Sequence, residues 1–243
     1  MRKISYLTSL AALVTALLVL PGVSYSAMWV GGQLGGNFLA NSDAKIDVGN
    51  VPTITVRDRS ARATVIGGLT LGYDFVKEGF GGYNYPDWMR YFSFAVDFTF
   101  NRMIFPQQTI VREQAGRTSQ FAFPKVEGTM SVLSFLFIGH YGFLPDSEVP
   151  NGRLHPYIGV GPGIVFSSID SGDFGLGNAT STNIALVAET GLRFFCLKNV
   201  SLDAAFRYRF FSPTFSHTVG GVTTDVNFDV NSFAFLFRAN YHF

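Results

Sequence analysis

Two neighbouring segments hold most of the residues able to do chemistry in this chain. Glu189 and Arg193 stand four apart in the first, and Asp203, Arg207 and Arg209 stand at even separations in the second. Even separation puts side chains on one face of a β-strand. An antiparallel register that sets Arg193 opposite Asp203 also sets Glu189 opposite Arg207. A shift by two would set Arg193 against Ser201 and Glu189 against Ala205, and both pairs would be lost. Opposite charges facing each other across a ladder are favoured, so the first register is expected. Asp97 and Arg238 occupy the same face of their own alternating segments and are expected to join the set. Enclosed in a barrel, these charges have two readings. One is a gate or ion path. The other, which is favoured, is a structural plug, because an eight-stranded barrel is just wide enough for its own side chains to fill and unpaired charge inside it is costly.

Other chemistry is thinly represented. The histidines are His140, His155, His217 and His242. A lipid-modifying barrel enzyme needs a His beside a Ser or an acid at the outer face, and only His217, with Ser212 and Ser216, falls there. No His-x-Ser-Asn pattern surrounds it, so no catalytic residues are assigned and a solvated loop His is expected. Asp170 and Asp173 flank Gly172, but two carboxylates in a loop read as polar surface rather than a cation site. No metal and no cofactor are expected. Gly159, Gly161 and Gly163 precede no helix and therefore form no dinucleotide loop. They read as space for bulky lumen neighbours such as Tyr157.

The elements that must position these residues are strands. Phe92, Phe94, Val96, Phe98 and Phe100 alternate with Ser93, Ala95, Asp97, Thr99 and Asn101, a period of two that fits no helix. Ala63–Phe75, Ile184–Phe194, Leu202–Phe210 and Phe233–Phe243 read the same way. Trp29–Phe38, Thr129–Phe143 and His155–Phe166 are weaker cases. Ala40–Arg62, Pro106–Glu127, Ser168–Thr182 and Ser212–Asp225 are long polar connections, while Leu144–Arg153 and Cys196–Val200 are short. Val76–Met89 is longer than an inner turn needs, and its Tyr83, Tyr85, Pro86 and Trp88 read as an aromatic interface girdle. The expectation is an all-β, eight-stranded, antiparallel up-and-down transmembrane barrel, with long loops outside and short ones inside. Ten strands would result if Thr53–Arg57 formed a membrane hairpin of its own.

Composition agrees. Of 243 residues 47% are hydrophobic and only 14% charged, with 26 Phe and 26 Gly and a formal net charge of +1. That is short of the roughly one-quarter charged residues of a soluble domain, and it excludes a basic nucleic-acid binder. A soluble eight-stranded rival would need a charged outer surface.

Arg2 and Lys3, the apolar run Ile4–Leu20, the Pro21-Gly22 break and the small residues before Ala27 have the form of a secretory signal peptide cut between Ser26 and Ala27. The expected domains are therefore a signal peptide over 1–26 and a barrel over 27–243. Removing Arg2 and Lys3 leaves 16 basic against 17 acidic residues. Cys196 has no partner for an internal disulfide and reads as a buried or interfacial apolar thiol. In the first two outer loops Lys45, Arg57, Arg59, Arg62, Arg112, Arg117 and Lys125 stand where lipopolysaccharide phosphates lie. Asp43, Asp47, Asp58, Glu113 and Glu127 dilute them into a mixed rim.

The chain resembles the OmpA-type superfamily of small outer-membrane β-barrels. Its C-terminal Phe233-x-Phe-x-Phe-x-Ala-x-Tyr-x-Phe243, with Phe237, Tyr241 and the terminal Phe243, is similar to the assembly signal of such proteins. His155-Pro-Tyr-Ile-Gly-Val-Gly-Pro-Gly-Ile164 resembles the superfamily's Pro-Tyr-x-Gly-x-Gly strand. Ala188–Arg193 and Leu202–Arg209 resemble its sixth and seventh strands. The resemblance implies a barrel in the outer membrane of a Gram-negative bacterium, without the peptidoglycan-binding domain. It further implies contact with outer-membrane lipid and lipopolysaccharide, and with the barrel-assembly machinery through the C-terminal strand. It leaves two roles, a structural or surface-interaction protein with a largely filled lumen and an OmpW-like channel or transporter for small or apolar compounds. An enzyme is not expected.

Overall fold

The computed structural model describes residues 27–243 apart from 41, 49–53, 78–82, 115, 124, 171–177 and 220–221. The proposed leader, Ser26 included, lies outside the described residues, and the first described residue, Ala27, is buried. The strands in chain order are β1 (Met28–Leu39), β2 (Ser42–Val48), β3 (Ile54–Arg59), β4 (Thr64–Asp74), β5 (Phe92–Phe105), β6 (Gln108–Gln114) and β7 (Arg117–Phe123). They continue as β8 (Val126–His140), β9 (Leu154–Asp170), β10 (Asn178–Leu197), β11 (Val200–Phe211), β12 (Thr214–Val219), β13 (Val222–Phe228) and β14 (Val230–His242).

Eight of them close a barrel in the order β1-β14-β11-β10-β9-β8-β5-β4. Closure is made by β1, which pairs antiparallel with β14 on one side and β4 on the other, so that Gln33 lies opposite both Arg238 and Gly68. A closed ladder leaves no unpaired edge, the condition for strands to cross lipid. Among the described residues no helix is long and apolar enough to cross a membrane.

The alternation sorts the side chains. Outward positions are apolar and exposed, with Ile184 at 79% and Phe237 at 70% of full accessibility, whereas the inward Arg207 and Asp97 are at 0%. This inverts the arrangement of a water-soluble barrel, and a bilayer is the solvent that makes it stable. At the end where β1 begins and β14 ends, a short 3-10 helix (Asp87–Tyr91) leads into β5. There Tyr83 packs on Tyr85, Tyr85 on Phe75, Trp88 on Phe92 and Tyr91 on Tyr141, building the expected girdle.

The outer connections differ from the expectation of long loops. Most of their length forms a second sheet, in the order β12-β13-β2-β3-β6-β7, which carries the wall of the barrel beyond its rim. Each of its strands follows or precedes a barrel strand after a break of one to four residues, so the ladder direction is inherited. Residues 54–57 therefore belong to β3, whose partners are β2 and β6, and the described residues form no membrane hairpin there; Thr53 lies outside them. The barrel has eight strands. β9 and β10 are also longer than their apolar cores and stay paired from Leu154↔Phe194 to Asp170↔Asn178.

Candidate functional site: the charged lumen

Alternation on β10 directs Ala185, Val187, Glu189, Gly191 and Arg193 inward, and on β11 it directs Asp203, Ala205, Arg207 and Arg209 inward. The pairing of β10 with β11 sets Arg193 opposite Asp203 and Glu189 opposite Arg207, the register that charge complementarity favours.

The ion pairs extend across the barrel rather than stopping at the ladder. Arg207 contacts Glu189 through Nε at 2.6 Å and Asp97, on the opposite wall, through Nη1 at 2.6 Å and Nη2 at 3.1 Å. Arg238 Nη2 donates to Glu189 Oε1 at 3.1 Å and its Nη1 to Asp203 Oδ2 at 3.4 Å. Arg193 Nε donates to both carboxylate oxygens of Asp203 at 3.3 Å. Neutral groups complete the set. Tyr157 donates to Glu189, Asn240 to Asp203 and Gln33 to Asp97, while Gln33 Oε1 accepts from Arg238. Three guanidiniums and three carboxylates thus neutralise one another in a layer closed to solvent. Buried charge is tolerated in that way and in few others. The chemistry open to such a layer is to block the lumen and to tie six strands together, β1, β5, β9, β10, β11 and β14.

Below it, toward the termini, lies a second polar layer that the sequence does not suggest. Asp74 accepts from Trp29 Nε1 at 3.0 Å and from Ser93 Oγ at 2.7 Å. His140 Nδ1 and His155 Nδ1 are 3.4 Å apart, and His242 Nε2 lies 3.0 Å from Ser201 Oγ. Arg193 lies over the Trp29 ring at 4.5 Å from its centroid. The period-two pattern gives the inward direction of these histidines. Their convergence depends on which strands neighbour which. His217 lies on β12 opposite Thr224 in the outer sheet, and its side chain is outside the described residues, as are those of Ser216, Asp170 and Asp173. Among the described residues no group of three or more His, Cys, Asp or Glu could hold a metal ion.

Above the central layer, Arg209 reaches Thr99 on the far wall through Nη2 at 3.2 Å. Beyond it the lumen is mostly apolar, with Met103, Phe105, Val126, Met130, Phe211, Phe215 and Val230 packed around the buried Asn101 and Ser167.

Two readings of single residues need correction. Cys196 is exposed, which removes the buried half of its reading and leaves the interfacial one: it is the last residue but one of β10, with Sγ donating to Val200 O. The glycines of β9 do adjoin bulky lumen neighbours, but at Gly159 and Gly163 these are Ile138, Val187 and Val132 rather than Tyr157, and Gly161 faces the Phe135 carbonyl. The residue that makes room for Tyr157 is Gly191, where an added Cβ would stand 2.7 Å from the Tyr157 hydroxyl.

At the rim, Lys125 pairs with Glu127 at 2.5 Å and Arg102 with Glu127 at 3.5 Å. In the turn between β8 and β9, Asp146 accepts from the Val149 N–H at 2.7 Å, the Glu148 N–H at 3.0 Å and the Arg153 guanidinium. The Val149 N–H above all, then Arg153, holds the Asp146 carboxyl below the usual carboxylate range.

No family model and no curated protein matches this chain. Solved structures do. Neisserial surface protein A is 17% identical and superposes with a TM-score of 0.50, covering 91% of this chain and 99% of its own. The outer membrane protein OprG from Pseudomonas aeruginosa is 12% identical with a TM-score of 0.52, covering 90% and 97%. At these identities the likeness concerns the fold. Together with the apolar outer belt and the closed ladder, it puts the chain among the small integral β-barrels of the bacterial outer membrane.

Proposed function

We propose that this chain is a structural or surface-interaction protein of the outer membrane, of the OmpA-type kind its motifs resemble, with a lumen closed by its own side chains. The observation that supports this reading is the central layer. Arg207, at 0% exposure, spans the bore from β11 to Asp97 on β5, and Arg238 and Gln33 close the remaining sector. The apolar fill above and the histidine layer below add two further obstructions. With the bore filled, the part that meets the surroundings is the outer sheet, whose rim charges would face lipopolysaccharide phosphates. The C-terminal strand, with Phe237, Tyr241 and Phe243, would engage the barrel-assembly machinery. The test is solute flux: proteoliposomes holding the folded chain should swell no faster in small sugars than empty liposomes. Swelling at porin-like rates would overturn the reading.

A second reading, an OmpW-like transporter for small or apolar compounds, is favoured by one observation. Pairing of β10 with β11 stops at Leu186↔Phe210. Just beyond it the outer wall carries a groove of about 530 Å³ between Ile184, Ala185, Phe210 and Phe211. Uptake of an apolar fluorescent probe by such liposomes, abolished by a disulfide across that gap, would promote this reading over the first.

A further inference from the structure

Arg209 is the one lumen guanidinium that the central layer leaves uncompensated. Arg193, Arg207 and Arg238 are matched by Asp97, Glu189 and Asp203. The fourth carboxylate, Asp74, sits at the opposite end of the bore with Trp29 and Ser93. Arg209 is 1% exposed, and its one hydrogen bond among the described residues goes to a neutral hydroxyl, Thr99 Oγ1. Its Nε and Nη1 have no partner among the described residues. A desolvated guanidinium with two idle donors is among the more expensive states a protein can hold, so a counter-charge is expected.

The surroundings say what kind. Ser232, paired with Arg209 across the β11–β14 ladder, donates to Asn37 Oδ1 at 2.7 Å and turns that amide so that its Nδ2 is also without a partner among the described residues. The Ser134 hydroxyl is a further idle group in the lumen. Among the described residues this layer thus holds idle donors on Arg209 and Asn37, one idle neutral acceptor, Asn101 Oδ1, and no negative charge. Above it Phe211, Met130 and Phe105 exclude water, which disfavours a strongly hydrated divalent ion. The lumen's four guanidiniums and four carboxylates balance in number, but Asp74 lies 4.0 Å from Arg193 at the far end, so the charge missing beside Arg209 is a single, local one.

We infer that the upper lumen is a binding site for a monovalent anion, of halide or carboxylate chemistry, held by Arg209 Nε and Nη1. A single charge among apolar neighbours suits either a bare halide or the head of an apolar monocarboxylate.

The test uses the full barrel folded in detergent, with bromide or hexanoate replacing sulfate at constant ionic strength. Binding to the folded state alone shifts the unfolding equilibrium about 100-fold when the anion is at 100 times its dissociation constant. The unfolding midpoint of the native chain is expected to rise saturably with bromide, and that of Arg209→Met is expected not to move. In sulfate the variant should be at least as stable as the native chain, since the substitution removes an unpaired buried charge. Should Arg209→Met not fold, bromide anomalous scattering from crystals of the native chain decides: a peak within hydrogen-bonding reach of Arg209 supports the site. A response to hexanoate alone assigns the site to carboxylates with an apolar tail. No response to either anion and no peak would mean water alone serves Arg209, and the inference would fall.

Discussion

Glu189→Gln is the substitution whose consequence follows most directly from the lumen geometry. Glu189 accepts from Arg207, Arg238 and Tyr157, at distances of 2.6, 3.1 and 3.0 Å for the bonds to Arg207 Nε, Arg238 Nη2 and the Tyr157 hydroxyl. The amide keeps the shape and one acceptor oxygen, but it removes the charge and turns two acceptor sites into donors that face guanidinium N–H groups. Three guanidiniums are then left against two carboxylates in a closed layer. Each charge-assisted bond is worth about 1.5–3 kcal/mol, and breaking one side of a buried pair typically destabilises by about 3–5 kcal/mol. A loss of about 4 kcal/mol is therefore expected. Its assay is urea unfolding in lipid, followed by the heat-shift mobility of the barrel on gels and by tryptophan emission from Trp29 and Trp88. Glu189→Gln with Arg207→Gln should recover part of the loss, because the two changes restore neutrality. If Glu189→Gln lost less than about 1 kcal/mol, the layer would have to be hydrated, and the reasoning from a dry, charge-matched plug would fail.

Further outcomes follow from other contacts. Arg193→Ala and Asp203→Ala, alone and together, should show a coupling of about 0.5–3 kcal/mol in the same unfolding assay, and strict additivity would contradict the pairing. Gly72→Ala should destabilise by about 1–3 kcal/mol through overpacking, since the added Cβ would stand 2.0 Å from Cε2 of the Trp29 indole. A shifted Trp29 emission should accompany it. Asp146 has a folded-state pKa below its unfolded value, so its contribution is present above the unfolded pKa and is lost as pH falls through the folded one. The unfolding midpoints of the native chain and Asp146→Asn should therefore differ at neutral pH and converge in acid, and a difference independent of pH would refute that role.

Much of this architecture was legible because a period of two is a strong local signal. Phe92–Phe100 or Phe233–Phe243 can be nothing but strands, and the faces on which Glu189, Arg193, Asp203, Arg207, Arg209 and Arg238 lie follow from parity alone. The register of β10 on β11 was legible too, because only one alignment matches the charges. The contact of Arg207 with Asp97, 110 residues away, was not, since it depends on the tilt and stagger that closure imposes. For the same reason the meeting of His140 with His155, and the lack of a charged partner for Arg209 among the described residues, could be read only once the bore was assembled. The outer sheet escaped because its strands are six or seven residues long, polar, and paired between separate connections such as β13 with β2. Nothing local in Ala40–Arg62 names a partner beyond residue 220.

The central claim, a bore closed by its own charges, is tested most directly by planar-bilayer recording from the folded chain after its heat-shift mobility confirms insertion. The account predicts a silent membrane at moderate voltage. Discrete, reproducible conductance steps that change in size or ion selectivity with Glu189→Gln would contradict it, for the charges of the central layer would then line a path instead of closing one.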